Sequence, residues 1–152
     1  MPDPALIKRT ATYGLELPSR AGFFEVEALD AMSRFVFRSN NATASVVASV
    51  TGLSLEQPIN RGSSVGDRVS LRVGPDEWLL FMSESHTGDF LAAAAGIASE
   101  HAFSIVDVSH RNVGLEFRGA GVATELATGC PQALDLNRFP VDKCSRTVFY
   151  KA

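Results

Sequence analysis

Asp107, Ser109 and His110 are the three side-chain types of an acyl-transfer relay, gathered within four residues. A relay needs the three side chains to converge. Neighbours on an extended chain point to alternate faces, so this run cannot make that geometry. No serine here is flanked by glycines as in a nucleophile elbow. The reading that follows is structural: Asp107 and Ser109 bond backbone groups at a strand crossing, and His110 is partly exposed. Gly119-Ala120-Gly121 has the first two glycines of a dinucleotide loop. The third glycine position is Thr124, and Asp142, the acid about twenty residues on, falls in the Pro140 loop. The segment reads as a tight strand-to-helix turn.

Metal chemistry finds equally little support. His86, His101 and His110 fall in three different elements, and Cys130 and Cys144 are not a short-spaced pair. Cys130 is expected to pack as a small apolar group behind a helix stop. Arg111, Arg138 and Arg146 have the chemistry to clamp a carboxylate or phosphate, and equally to pair with Asp107, Asp135 and Asp142. Trp78 is expected in the core rather than as a ligand platform. No residue is therefore assigned a catalytic, cofactor-binding or metal-ligating role.

The elements that would position these residues are legible from periodicity. Residues 1–30 read as an N-terminal arm, aperiodic to about residue 24, with an extended piece near Phe24–Leu29. Arg34–Arg38 alternates as a strand. Asn40 or Asn41 caps a helix carrying Val46, Val47, Val50 and Leu53, closed near Gly52. Residues 54–66 read as loop. Arg68–Val73 alternates with Val69, Leu71 and Val73 on one face. After the Gly74-Pro75-Asp76-Glu77 turn, the apolar run Trp78–Met82 predicts a central strand covered on both faces. Thr87 is a candidate cap for a second helix burying Phe90, Leu91, Ala94 and Ile97. Phe103–Val108 is a further strand. Residues 31–110 thus form a β-α-β-β-α-β unit, the ferredoxin-like pattern of an α+β fold.

Residues 111–152 read as half of a second unit. A strand buries Leu115 and Phe117, so a carboxylate at either position is expected to unfold that unit. A short helix turns Val122, Ala123, Leu126 and Ala127 inward. Gly129 takes the left-handed position after it, and Pro131 bars continuation. A final strand spans Cys144–Tyr150. Its exposed edge predicts completion by further chain, by a partner, or by self-association.

Composition sets the class. The chain has 152 residues, 45% hydrophobic and 20% charged, with net charge −3, so it is long enough for a real core and lacks the basic footprint of a nucleic-acid binder. No apolar run reaches membrane-spanning length, and Met1-Pro2-Asp3-Pro4 does not start a signal peptide. Two cysteines make no disulfide framework, so a cytoplasmic setting is expected.

Three linked segments carry a resemblance. Leu71–Phe81 (LRVGPDEWLLF), Val106–Arg111 (VDVSHR) and Gly129-Cys130-Pro131 with Leu134-Asp135-Leu136, Phe139-Pro140 and Cys144–Thr147 are similar to the gamma subunit of heterotetrameric sarcosine oxidase. The resemblance runs over about residues 25–152. The stretch from Asp107 to Gly121 also resembles the start of aminomethyltransferase (glycine-cleavage T-protein) domains. It implies a fold of paired ferredoxin-like units and a non-catalytic accessory subunit. Its partners would be the alpha, beta and delta subunits, in a complex that oxidatively demethylates sarcosine to glycine. Hydrogen peroxide is formed, and the one-carbon unit passes to tetrahydrofolate. FAD, FMN, NAD and the folate site are expected in the larger subunits, with no cofactor in this chain. Family members continue beyond the strand containing Arg146, so further chain is expected after Ala152. A stand-alone folate-binding or aminomethyl-transfer domain is the alternative.

Overall fold

A computed structural model describes residues 12–150. The first eleven residues of the expected arm and the last two of the expected second unit lie outside the described residues. The elements are β1 (Ser19–Arg20), β2 (Phe24–Ala28), β3 (Ser33–Ser39), α1 (Asn41–Thr51), β4 (Arg61–Val65), β5 (Arg68–Arg72), β6 (Glu77–Met82), α2 (Glu84–Ala95), β7 (Phe103–Asp107), β8 (Leu115–Arg118) and α3 (Val122–Ala127). The fold is α+β. An antiparallel five-stranded sheet has the order β4-β5-β6-β3-β7, and a smaller one the order β1-β2-β8.

The β-α-β-β-α-β order is present as β3-α1-β5-β6-α2-β7, with one strand added. That strand is β4, which lies in the stretch expected to be loop and pairs with β5 from Arg61↔Arg72 to Val65↔Arg68. Its sequence, RGSSV, has little apolar content, because it is an edge strand held by its backbone ladder rather than by burial.

The core lies on one face of the large sheet. Phe35 and Phe37 from β3, Trp78, Leu80 and Met82 from β6, Val47 from α1 and Phe90 from α2 share one cluster. Phe37 stacks obliquely on Trp78 with ring centroids 5.4 Å apart, and Phe35 meets Phe90 at 5.3 Å. The indole N–H of Trp78 donates to the Leu55 carbonyl at 3.1 Å, so this ring is a satisfied core residue.

Asn40 caps α1 by accepting the Thr43 N–H at 2.8 Å, and Gly52 closes it at φ 68°. The buried stripe of α1 is Thr43, Ala44, Val47 and Thr51, rotated from the expected one, and Val50 is exposed. Small side chains on that stripe let the helix sit close to the sheet, and the Thr51 hydroxyl is satisfied within the helix by the Val47 carbonyl at 2.6 Å. The start of α2 is one turn earlier than expected. Ser83 occupies the cap position, and Thr87 lies inside the helix, where its hydroxyl donates to Ser33 at 2.6 Å. Leu91 consequently faces solvent.

The strand β6 is central but not covered on both faces. Trp78, Leu80 and Met82 are buried under the helices, whereas Leu79 and Phe81 are half-buried on the far side. The same inversion appears in β5. Ser70, between Val69 and Leu71, is the buried residue, and its hydroxyl donates to the Ser54 carbonyl under the helices. Val69 and Leu71 therefore look away from the core with Leu79 and Phe81, their register partners.

The second sheet recruits the arm. The extended piece near Phe24–Leu29 is β2, which pairs with β8 from Glu25↔Arg118 to Ala28↔Leu115. Phe24 and Phe117 stack at 5.9 Å, and Val26 opposite Phe117 is buried. Leu115 is 38% exposed and is not a core position. No residue of α3 is buried; this helix of six residues makes its main contact with β2. Gly129 does not adopt a left-handed conformation; Thr128 ends the helix in right-handed backbone. Gly129 instead admits the Tyr150 ring, which a side chain at that position would meet at 2.4 Å.

Cys144–Tyr150 is not a strand. A lone antiparallel bridge joins Lys143 to Arg61 at the edge of β4, made by Cys144 N–H to the Asn60 carbonyl and Gly62 N–H to the Asp142 carbonyl, and beyond it the chain leaves β4, with Tyr150 N–H donating to the Gly129 carbonyl. The segment crosses elements rather than running beside one, which removes the strand edge on which self-association was expected to rest.

Phe37→Ala should destabilise the large unit by about 3–5 kcal/mol and lower the thermal midpoint. In the small sheet, Phe117→Asp should lose stability by several-fold more than Leu115→Asp, measured by urea melts; equal losses would contradict the packing of Phe117 against Phe24 and Val26.

Candidate functional site

The Asp107–Arg111 run lies where the two sheets are joined. Two connections cross there, from β2 to β3 through residues 29–32 and from β7 to β8 through residues 108–114. Val108 N–H donates to the Arg34 carbonyl at 2.8 Å, and Leu29 N–H donates to the Gly114 carbonyl at 2.9 Å. Arg34 N–H donates to the Ser109 hydroxyl oxygen at 2.9 Å. The Ser109 hydroxyl and its backbone N–H both donate to Asp107 Oδ1, at 2.6 and 2.8 Å. This is the strand-crossing arrangement expected from the sequence. The serine hydroxyl is committed to holding the turn, and His110 is exposed beside it.

Arg34 was not singled out from the sequence, where it read as the polar phase of a strand. It is 7% exposed. Its Nη1 donates to the carbonyls of Asn112 at 3.1 Å, Met32 at 3.4 Å and Ser109 at 3.5 Å. One guanidinium thus caps carbonyls from both crossing connections. Gly114 packs closely beside it: a β-carbon there would lie 3.2 Å from Arg34 Nη2 and 2.9 Å from Leu29 Cδ1. A cavity of about 570 Å³ opens at this crossing, with Leu29, Met32, Arg34, Asp107, Arg111 and Val113 among its walls. A second, of about 500 Å³, shares Leu29, Met32, Arg34 and Arg111 and reaches Phe81 on the far face of the sheet.

The other candidates disperse. Arg146 donates to Glu77 Oε1 at 2.6 Å while Arg38 donates to Oε2 at 2.6 Å. Arg111 lines the crossing cavity, and Arg138 sits in a turn whose N–H donates to Asp135 Oδ1 at 3.2 Å. The three arginines form no clamp. His86 pairs with Asp67 at 3.0 Å, away from His101 and His110. Among the described residues no group of three His, Cys, Asp or Glu side chains is placed to hold a metal ion. Cys130 and Cys144 are both buried and unbonded to each other, and burial pushes the Cys144 thiol up.

The Gly119-Ala120-Gly121 turn is explained by Phe23. Gly121 N–H donates to the Phe23 carbonyl at 2.8 Å, and a β-carbon at Gly121 would fall 2.3 Å from the Phe23 ring. Gly119, at φ 115°, would put a β-carbon 2.4 Å from that same carbonyl oxygen. The space a pyrophosphate would need is taken by a phenyl ring, so the residues do not fit a dinucleotide.

Glu77 is the other organised group, missed from sequence because it was assigned to a turn. The hydrogen bond from Arg146, followed by the charges of Arg146 and Arg38, holds its carboxyl below the ordinary glutamate range against the opposing effect of burial. The pair ties the 144–150 segment to the start of β6.

These features define a class: an α+β protein of two sheets, joined by a buried arginine, whose larger sheet has α1 and α2 on one face. A model of the sarcosine oxidase, gamma subunit family matches residues 38–152, and the chain belongs to that family. No curated protein sequence matches it. Among solved structures, it is similar to a chain of the heterotetrameric sarcosine oxidase from Corynebacterium sp. U-96 in complex with pyrrole 2-carboxylate. The TM-score is 0.71 at 20% identity, over 83% of this chain and 65% of that one. At that identity the likeness speaks for the fold. The chain spans about 65% of the length of the chain it matches.

Two outcomes check this geometry. Arg34→Met leaves the capped carbonyls short of donors and should cost about 1–3 kcal/mol, read as a lower thermal midpoint. For Glu77, a depressed folded-state pKa means its contribution is complete above the unfolded value and is lost as pH falls through the folded one. Hydrogen exchange at Tyr150 should therefore accelerate as pH drops below the ordinary glutamate range, after correction for intrinsic rates. Glu77→Gln should flatten that dependence.

Proposed function

We propose that this chain serves as the accessory gamma subunit of a heterotetrameric sarcosine oxidase. The observation that carries the reading is the family match across residues 38–152. The geometry is in keeping with it: the polar groups that looked reactive are engaged in holding turns, and one sheet face is left for packing. In this reading the alpha, beta and delta subunits are its partners. FAD, FMN, NAD and the folate site reside in those larger subunits, and none of the residues of this chain enters the oxidation of sarcosine. A stand-alone folate-binding or aminomethyl-transfer domain, suggested by Asp107–Gly121, gains nothing from the geometry, since that stretch is occupied by Arg34 contacts at one end and Phe23 at the other. No helix among the described residues is long and apolar enough to cross a membrane.

Co-expression with the other three subunits tests the assignment. A tagged copy of this chain should retain them in fixed ratio through affinity purification and gel filtration, with flavin absorbance and sarcosine-dependent peroxide formation in the same peak. Recovery of the tagged chain alone, beside an intact complex of the others, would sink it.

A further inference from the structure

The buried guanidinium at the crossing has a donor to spare. Nη1 of Arg34 serves the carbonyls of Met32, Ser109 and Asn112, whereas Nη2 donates to no described residue. That nitrogen is not sealed in. Among the described residues, Gln57 Oε1 is the one buried side-chain polar atom without a partner, so Nη2 reaches open space. The space beside it is the cavity of about 570 Å³. Gly114 keeps that side clear, since a β-carbon there would lie 3.2 Å from Nη2. The three bonds of Nη1 hold the guanidinium in place, so Nη2 presents a fixed, charged donor to the cavity.

Two further charged groups line the same cavity. Asp30 lies on the connection from β2 to β3, and Arg111 on the connection from β7 to β8. Both are exposed, and the side chain of neither forms a hydrogen bond or ion pair with a described residue. Opposite charges that share a cavity without pairing leave space between them for a molecule that carries both signs. Glu84 and Asp107 also reach the wall, with Asp107 accepting from Ser109. A free anion such as phosphate therefore meets carboxylates there, and a bare cation meets guanidinium groups; each is selected against. The remaining wall includes Leu29, Met32 and Val113, of which Leu29 is 42% and Val113 44% exposed. Apolar walls with a few placed polar groups, at a volume within about 300–1,000 Å³, are the make-up of a small-molecule site.

We propose that this cavity binds a small zwitterion with an apolar body, the chemistry of an apolar α-amino acid. Its carboxylate accepts from Arg34 Nη2 and lies toward Arg111. Its ammonium group lies toward Asp30, and its side chain covers Leu29, Met32 and Val113. The site draws on both connections, so an occupant would bridge the two strands of chain that join the sheets. It stands apart from the subunit assignment and would hold whether or not the chain enters a complex.

The test titrates the whole chain with L-leucine, L-methionine and L-phenylalanine, following the thermal midpoint and the methyl NMR signal of Met32. At least one should raise the midpoint saturably and shift the Met32 signal. For the tightest of them, the analogue lacking the ammonium group and the analogue lacking the carboxylate should each bind at least tenfold more weakly. Asp30→Asn and Arg111→Met alter exposed side chains, so the free variants should melt like the unsubstituted chain. Asp30→Asn should weaken the amino acid at least tenfold and leave the carboxylate-only analogue unaffected, whereas Arg111→Met should weaken both. Binding of none of the three amino acids would overturn the proposal. So would a single-charge analogue as tight as its parent, inorganic phosphate binding more tightly than any amino acid, or affinities indifferent to both substitutions.

Discussion

Arg34 holds a guanidinium out of water at the point where the chain passes twice between its two sheets. A buried cation is costly unless its donors find acceptors. Here the acceptors are the carbonyls of Met32, Ser109 and Asn112, which need donors of their own because neither connection belongs to a ladder. The side chain and the two connections thus satisfy one another. Placement of the small sheet relative to the large one follows from that exchange, since β2 and β8 are the elements to which the two connections lead. The backbone of the same residue reinforces it, through Val108 N–H and the Ser109 hydroxyl.

The alternation of β3 places Arg34 there. Ser33, Phe35, Phe37 and Ser39 face the helices, and Arg34, Val36 and Arg38 face away. One strand therefore supplies the aromatic centre of the core, the clasp between the sheets, and a contact to Glu77 that fastens the 144–150 segment. On the far face it also contributes Val36 to the apolar surface.

Much of the architecture was legible because it rests on local rules. The Asn40 cap and Gly52 stop fix α1 through backbone geometry. The hairpin of β5 and β6 follows from alternation around the Gly74-Pro75 turn. Burial of Trp78 and the turn role of Asp107 and Ser109 could be argued from residue chemistry and spacing. Less visible were β4, which earns no apolar signature at a sheet edge, and the cap of α2, where Ser83 and Thr87 were both acceptable candidates. The 144–150 segment alternates as a strand would, yet its pairing with the edge of β4 stops at the single bridge of Lys143 with Arg61. Gly119, Gly121 and Gly129 were recognised as special, but their reason was not. In each case an aromatic residue distant in sequence, Phe23 or Tyr150, comes within the space of a missing β-carbon.

The sequence by itself determined the class of fold, the β-α-β-β-α-β order within the larger unit, the burial of Trp78 and Phe90 and, through its linked motifs, the family. These depend on period, capping and composition, which act between near neighbours. Only the tertiary structure decided that the arm strand pairs with β8, that Arg34 rather than Arg111 or Arg146 is the buried guanidinium, and that Val69 and Leu71 look away from the core. Periodicity states which side chains share a face, but not which face meets a helix. That choice is made when β5 pairs with β6 and Ser70, hydrogen-bonded to the Ser54 carbonyl, takes the position under the helices.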